Sequence, residues 1–175
     1  TDHTMFGGTL DRNMVNTKDK GVPDKVDPEG ADVLWKAALG SRAYGGPIIA
    51  HGKIVCGTNN EQPRNKRDVA KDGEPIDRGV VMCFDEKTGK FLWQAVHEKL
   101  PAGQVNDWEK EGVCSTASVE GDRIYYVSNR CTVVCADVNG FANGNDGVQT
   151  EQYKTPTDVD IIWEYDMIKT EDVFP

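Results

Sequence analysis

Apolar residues in this chain fall in short runs that alternate with polar ones and end at turn residues, with no sustained helical period. The clearest runs are "GGPIIAHGKIVCGTNN" at 45–60, "VVMCFDEKTGKFLWQ" at 80–94, "STASVEGDRIYYVSNR" at 115–130, and "TVVCADVNG" at 132–140 with "DIIWEYD" at 160–166. Val, Ile, Thr, Tyr and Phe concentrate in these runs, while 18 Gly and 8 Pro punctuate the chain. Residues of this kind suit a pleated, half-buried surface, so the pattern predicts an all-β fold of many short strands. A further outer strand is predicted at "VLWKAAL", 33–39, around Trp35.

The runs repeat. In each copy an apolar strand ends in Cys (Cys83, Cys135), with one residue between it and Asp (Asp85, Asp137); Gly follows (Gly89, Gly140), and Trp ends the next strand (Trp93, Trp163). Ile54 and Ile124 are 70 residues apart, as are Trp93 and Trp163. Each unit therefore holds four strands, and antiparallel four-stranded units repeated along a chain are the blades of a β-propeller. Structural roles follow for the repeated residues. Trp93 packs flat between blades, its buried indole N–H needing a backbone acceptor, and Trp163 takes the matching structural position. Gly89 permits a tight turn after Thr88. Asp85 and Asp137 accept hydrogen bonds from turn amides.

The Asp, Thr-Gly-Lys, Trp pattern of "DEKTGKFLW" resembles the tryptophan-docking blade motif of the PQQ-like (quinoprotein-type) β-propellers. That family includes PQQ-dependent alcohol dehydrogenases and BamB-like outer-membrane assembly proteins. The opening "MFGGTLDRNMV" is similar to the start of PQQ-like repeat proteins of planctomycete-type bacteria. The resemblance covers nearly the whole chain and implies a propeller fold in a periplasmic or otherwise extracytoplasmic setting.

Propellers carry about four to eight blades, and this chain supplies about two plus an outer strand. The expected division is an N-terminal segment at 1–32, outer strand plus first blade at 33–96, and interblade loop plus second blade at 97–175. The remaining blades would come from the same polypeptide, from a partner chain or from identical copies, because an open pair exposes apolar faces and strand edges.

Composition narrows function. Lys and Arg total 20 against 29 Asp and Glu, a formal charge of −9. That argues against a nucleic-acid partner, and the basic run Arg64, Lys66, Arg67 is too short to reverse it. No stretch approaches the roughly 18 apolar residues of a membrane span, and the opening residues lack a signal-peptide pattern. The expectation is a soluble or already processed chain. The 5 cysteines form no CxxC or CxxCH pattern, which gives no support to a zinc ribbon or an attached haem. Cys131 and Cys135 are placed on one strand, roughly 13 Å apart, too far to bridge; Cys114 with Cys131 is the pair to test.

Candidate chemistry sits in the insertions. In a blade whose inner strand comes first, "NNEQPRNKRDVAKDGEPIDRG" (59–79) and "HEKLPAGQVNDWEKEG" (97–112) fall on one face, where the family's PQQ enzymes hold their cofactor and where long loops carry binding residues. The alternative is that both are solvated, charged loops. "DVNGFANGNDG" (137–147) is the calcium candidate, with Asn139, Asn143, Asn145 and Asp146 as oxygen ligands, although Val148 stands where an EF-hand needs Glu. Asx-rich turns also form without metal. His3 and His51 are expected at the surface. His97 is placed within reach of Asp107 or Glu109, yet no nucleophile stands beside it, and Ser115 and Ser118 fit no hydrolase pattern.

The resemblance implies calcium ligands, an Asp base and an adjacent Cys-Cys in a PQQ dehydrogenase, and none is recognisable in this chain. The leading expectation is therefore a non-catalytic propeller part that binds protein or supports assembly, its blade loops on one face meeting a partner. The alternatives are a fragment of a PQQ-dependent alcohol or sugar dehydrogenase, with PQQ as cofactor in that case alone, and a docking subunit of a redox complex.

Overall fold

The computed structural model describes residues 2–17, 19–101 and 107–175. Eight strands form two four-stranded antiparallel sheets with almost no helix, so the chain is all-β. In spatial order the first sheet is β1 (Ile48–Ala50), β2 (Lys53–Asn59), β3 (Arg78–Asp85) and β4 (Phe91–Glu98). The second is β5 (Ser118–Glu120), β6 (Arg123–Val127), β7 (Thr132–Asp137) and β8 (Ile161–Asp166), followed by the short helix α1 (Met167–Glu171). Neither sheet closes on itself. Among the described residues no helix is long and apolar enough to cross a membrane.

Local chemistry sets the hairpins and their irregularities. His51 and Gly52 turn β1 into β2 at φ 52° and 70°, the left-handed pair that a two-residue hairpin loop needs. In the β3–β4 pairing Cys83 faces Trp93 and Phe84 faces Phe91, which leaves Leu92 as an extra residue. In the β7–β8 pairing Cys135 faces Trp163 and Ala136 faces Ile161, which leaves Ile162 extra. A bulge at the same place in both sheets bends each last strand alike, so the repeat extends to its defects.

The period-two alternation of the strands divides the apolar residues between faces. Val81, Cys83 and Trp93 of the first sheet meet Ile124, Val134 and Ala136 of the second in one shared core. The first sheet's other face carries Val80, Met82 and Phe84, covered by Trp35, Ala37 and Leu39. The second sheet's outer face has no such cover among the described residues, and Val127, Trp163 and Tyr165 are exposed there.

Three expectations are corrected. Residues 33–39 form no strand. No strand among the described residues pairs with them, and their side chains, chiefly Trp35, hold them on the first sheet instead. Cys114 and Cys131 are both free, as are the other three cysteines; Cys114 Sγ turns back to the Gly112 carbonyl at 3.8 Å. Cys131 also lies outside the strand that holds Cys135, in the preceding turn at φ 53°. At the other end of the chain, the His3 N–H donates to the Ile49 carbonyl at 2.8 Å and the Ile49 N–H returns the bond at 2.9 Å, so the opening segment extends the edge of the first sheet.

Candidate functional site

Two tryptophans occupy matching seats. Trp93 is buried and its Nε1 donates to the Val138 carbonyl at 3.0 Å. Gly140, at φ 61°, lies so close that a Cβ there would come within 2.9 Å of Trp93 Cδ1. On the other side of the first sheet, Trp35 Nε1 donates to the Glu86 carbonyl at 2.8 Å, and a Cβ on Gly89 would meet the indole at 2.5 Å. In both seats the acceptor belongs to the residue directly after the turn aspartate, and a left-handed glycine supplies the floor. Each aspartate holds its turn: Asp85 accepts from the Thr88 N–H at 2.8 Å and Oγ1 at 2.7 Å, and Asp137 accepts from the Asn139 N–H at 2.7 Å. The Thr88 hydroxyl and amide keep the Asp85 carboxyl below its ordinary range. The third tryptophan, Trp163, holds the repeat position of Trp93 but remains 43% exposed, its ring tilted 6.1 Å from that of Tyr125.

At the loop end the first insertion is tied down by buried charge. Its 3-10 turn, Lys66–Asp68, places Asp68 fully inside the protein, where Arg78 donates at 2.7 Å and Gln94 at 2.8 Å. Arg78 also reaches Glu98 at 2.6 Å, and Arg67 forms a two-pronged pair with Asp158 of the second half of the chain. Burial pushes the Asp158 carboxyl up, but the bonds from Arg67 and Thr155 prevail and hold it below the usual range. Two cations of the basic run lie over aromatic rings, Arg64 5.4 Å from the centre of Phe91 and Arg67 3.9 Å from that of Tyr153, while Lys66 is exposed. Through Arg67 and Asp158 this stretch clamps the two halves together, while residues 71–74 at its tip are exposed.

Beside the clamp lies a pocket of about 760 Å³ whose wall runs from Ala38 to Ser41, through Asn59 to Gln62, and back along Glu74 to Asp77, with Lys110 at one side. The two long insertions meet here. The Lys110 N–H donates to Asp77 Oδ2 at 2.8 Å, and its ammonium pairs with Glu61 at 2.9 Å. Bonds from Ser41 and then Lys110 lower the Glu61 carboxyl. Residues 102–106 of the second insertion lie outside the described residues.

The other candidate groups have structural partners. The Asn143 side chain donates to Asp137 at 3.1 Å and to Asp146 at 3.3 Å; Asn145 donates to Glu151 at 3.1 Å and accepts from Gln149 at 2.6 Å. Asn139 gives its backbone N–H to Asp137, and the Asp146 N–H donates to Asp160 at 2.8 Å. Among the described residues no three His, Cys, Asp or Glu side chains gather into a group that could hold a metal ion. His97 is buried and shares a hydrogen bond of 3.0 Å with the Tyr126 hydroxyl, and burial pushes its ring down to about 4. It does not pair with Asp107, which Lys99, Asn129 and the Leu100 N–H engage. Ser115 Oγ donates to the Val127 carbonyl at 2.8 Å, while Ser118 lies in β5. His51 lies 3.0 Å from the Gly121 carbonyl and bridges two hairpin turns. Burial raises the Cys83 thiol to about 12, far from a reactive thiolate.

Sequence reading missed the clamp carboxylates Asp68 and Asp158 and the pocket residues Asn60 and Asp77. Charged or amide residues in a polar insertion read as solvated, and only long-range pairing buries them. The seat of Trp35 had a local signal, an isolated tryptophan in an apolar run, but its partner at Glu86 lies 51 residues away. No protein-family model matches the chain, and no curated protein matches it.

Proposed function

We propose that this chain is part of a PQQ-like, extracytoplasmic β-propeller, its two sheets serving as blades, and that it acts as a non-catalytic protein-binding or assembly module. The observation that carries the proposal is the tryptophan series: Trp35 and Trp93 are each seated on the sheet that follows, and Trp163 presents the same group with no seat. A further blade with an Asp-to-Gly turn and a free carbonyl after its aspartate supplies what Trp163 lacks, whichever polypeptide carries it. A second copy of this chain is a poorer match, because the corresponding seat on its first sheet already holds Trp35. Partner binding falls to the loop end, where both insertions meet.

Oxidative footprinting tests the reading. The protein is labelled in its native assembly, purified from source cells, and again as the isolated chain. Trp163 should be modified in the isolated chain and protected in the assembly to the level of Trp93, with cross-links from Tyr165 to an Asp-to-Gly turn of another blade. An assembly in which Trp163 stays fully reactive would sink the proposal.

A further inference from the structure

Residues 33–39 have the make-up of a strand without the pairing of one. Their opening "VLWKAA" sets Trp third in the run, as "FLWQAV" of β4 and "IIWEYD" of β8 do. Val33, Trp35, Ala37 and Leu39 are half-buried while Leu34, Lys36 and Ala38 are exposed, the period-two alternation of a strand lying on a sheet. Yet among the described residues no backbone N–H from Leu34 to Leu39 has a partner, and of their carbonyls only that of Ala38 does, through Arg64. None of residues 33–39 is buried, and an accessible row of unpaired backbone groups is a template for another strand.

The matching strand β4 shows which edge is open. The Gln94 N–H donates to the Thr157 carbonyl at 2.9 Å and the Gln94 carbonyl accepts from Val159 at 3.0 Å, both away from β3. Successive residues of an antiparallel strand aim their backbone groups at opposite edges, so Trp93 and Ala95 carry the bonds to β3. Trp35, Ala37 and Leu39 hold that phase in 33–39. The bonds that the segment does make belong to the other set: the Ala38 carbonyl with Arg64, and the Gly40 N–H with Thr58 Oγ1 at 2.9 Å.

The repeat also specifies the occupant. β4 and β8 each pair antiparallel with a strand that runs into a turn aspartate, Trp93 facing Cys83 and Trp163 facing Cys135. A second copy of this chain does not offer such a strand, because its β3 and β7 already hold β4 and β8.

We infer that residues 33–39 are the fourth strand of a further sheet, contributed to a three-stranded antiparallel partner whose open edge strand is alternately apolar and ends in a turn aspartate. Trp35 faces the residue two before that aspartate. This pairing rests on reading the two sheets as blades.

Amide hydrogen exchange, read residue by residue in the native assembly and in the isolated chain, tests it. In the isolated chain every amide from Leu34 to Leu39 should exchange quickly. In the assembly Trp35, Ala37 and Leu39 should slow by about 100-fold or more, while Lys36 and Ala38 stay fast. Unchanged exchange at those three positions overturns the inference, as does slowing of all the amides alike, which is cover without pairing. Two neighbouring prolines give a second readout, since each deletes one N–H. Ala37→Pro should lower incorporation into the assembly by about tenfold against tagged wild type, and Ala38→Pro by no more than about twofold. Equal incorporation of the two overturns the inference; should either lose the native spectrum, exchange in the wild type decides alone. Protected Trp163 with fast exchange at Trp35, Ala37 and Leu39 sinks this pairing and leaves the blade reading standing, whereas a reactive Trp163 sinks the blade reading whatever these amides do.

Discussion

The two sheets share strand number, order, pairing and bulge position, yet differ in how many faces they bury. The first sheet is covered twice, by the second sheet over Trp93 and by residues 35–39 over Phe84. The second sheet is covered once, and Trp163 and Tyr165 look outward. One sequence pattern thus yields a buried tryptophan in one copy and an exposed one in the other. The indole contributes to stability only where a neighbouring sheet supplies an acceptor, a left-handed glycine and apolar cover.

The sharpest break of the comparison is at Trp93. Trp93→Ala removes a fully buried aromatic and orphans the Val138 carbonyl, so urea unfolding should show a loss of about 3–5 kcal/mol. A loss below about 1 kcal/mol would mean that the sheets are not packed through this residue.

Protonation attacks the same interface more gently. His97 of β4 meets Tyr126 of β6 across the two sheets, and its ring is held near 4 against an ordinary value of 6.5. The unfolded chain binds a proton between those values while the folded chain does not, so stability is full above pH 6.5 and falls as the pH drops toward 4. The loss reaches about 3 kcal/mol by pH 4. His97→Gln should flatten that portion of the stability curve in urea titrations at stepped pH; an unchanged slope would place the titration elsewhere.

A pair of glycines separates backbone strain from the seat itself. Gly121 and Gly140 both have left-handed φ, but a Cβ on Gly121 meets nothing within 4 Å, whereas one on Gly140 presses on Trp93. Gly121→Ala should lose about 1 kcal/mol and Gly140→Ala about 2–3 kcal/mol. Equal losses would show that the glycine serves only the turn.

Much of this architecture was legible because it is periodic. Alternating residues announced the hairpins, and the Cys, Asp, Gly and Trp spacing announced the repeat. What stayed hidden depends on distant partners. Residues 33–39 read as a strand, being apolar and extended, but a ladder needs a paired edge and none reaches them. Asp68 and Arg78 looked like loop charge, and only their mutual neutralisation inside the clamp allows burial. The pocket was invisible for the same reason, since its walls meet only where Lys110 bonds to Asp77 and Glu61. The Asx-rich turn was legible as a turn, and its amides stay local, Asn143 donating to Asp137 and Asn145 to Glu151, each 6 residues away.

The smallest expected effect is the most informative about assembly. In the isolated chain Trp163→Ala removes a half-exposed ring with no indole acceptor, so its unfolding free energy should change by no more than about 0.5 kcal/mol. The ring contact with Tyr125 is lost. The contrast with Trp93→Ala then measures what a neighbouring sheet adds to one indole, because the two positions share strand, register and bulge. Should Trp163→Ala lose as much as Trp93→Ala, the outer face must be covered in solution. Sedimentation of the wild-type chain would then tell a second copy on that face from a fold-back of the chain itself.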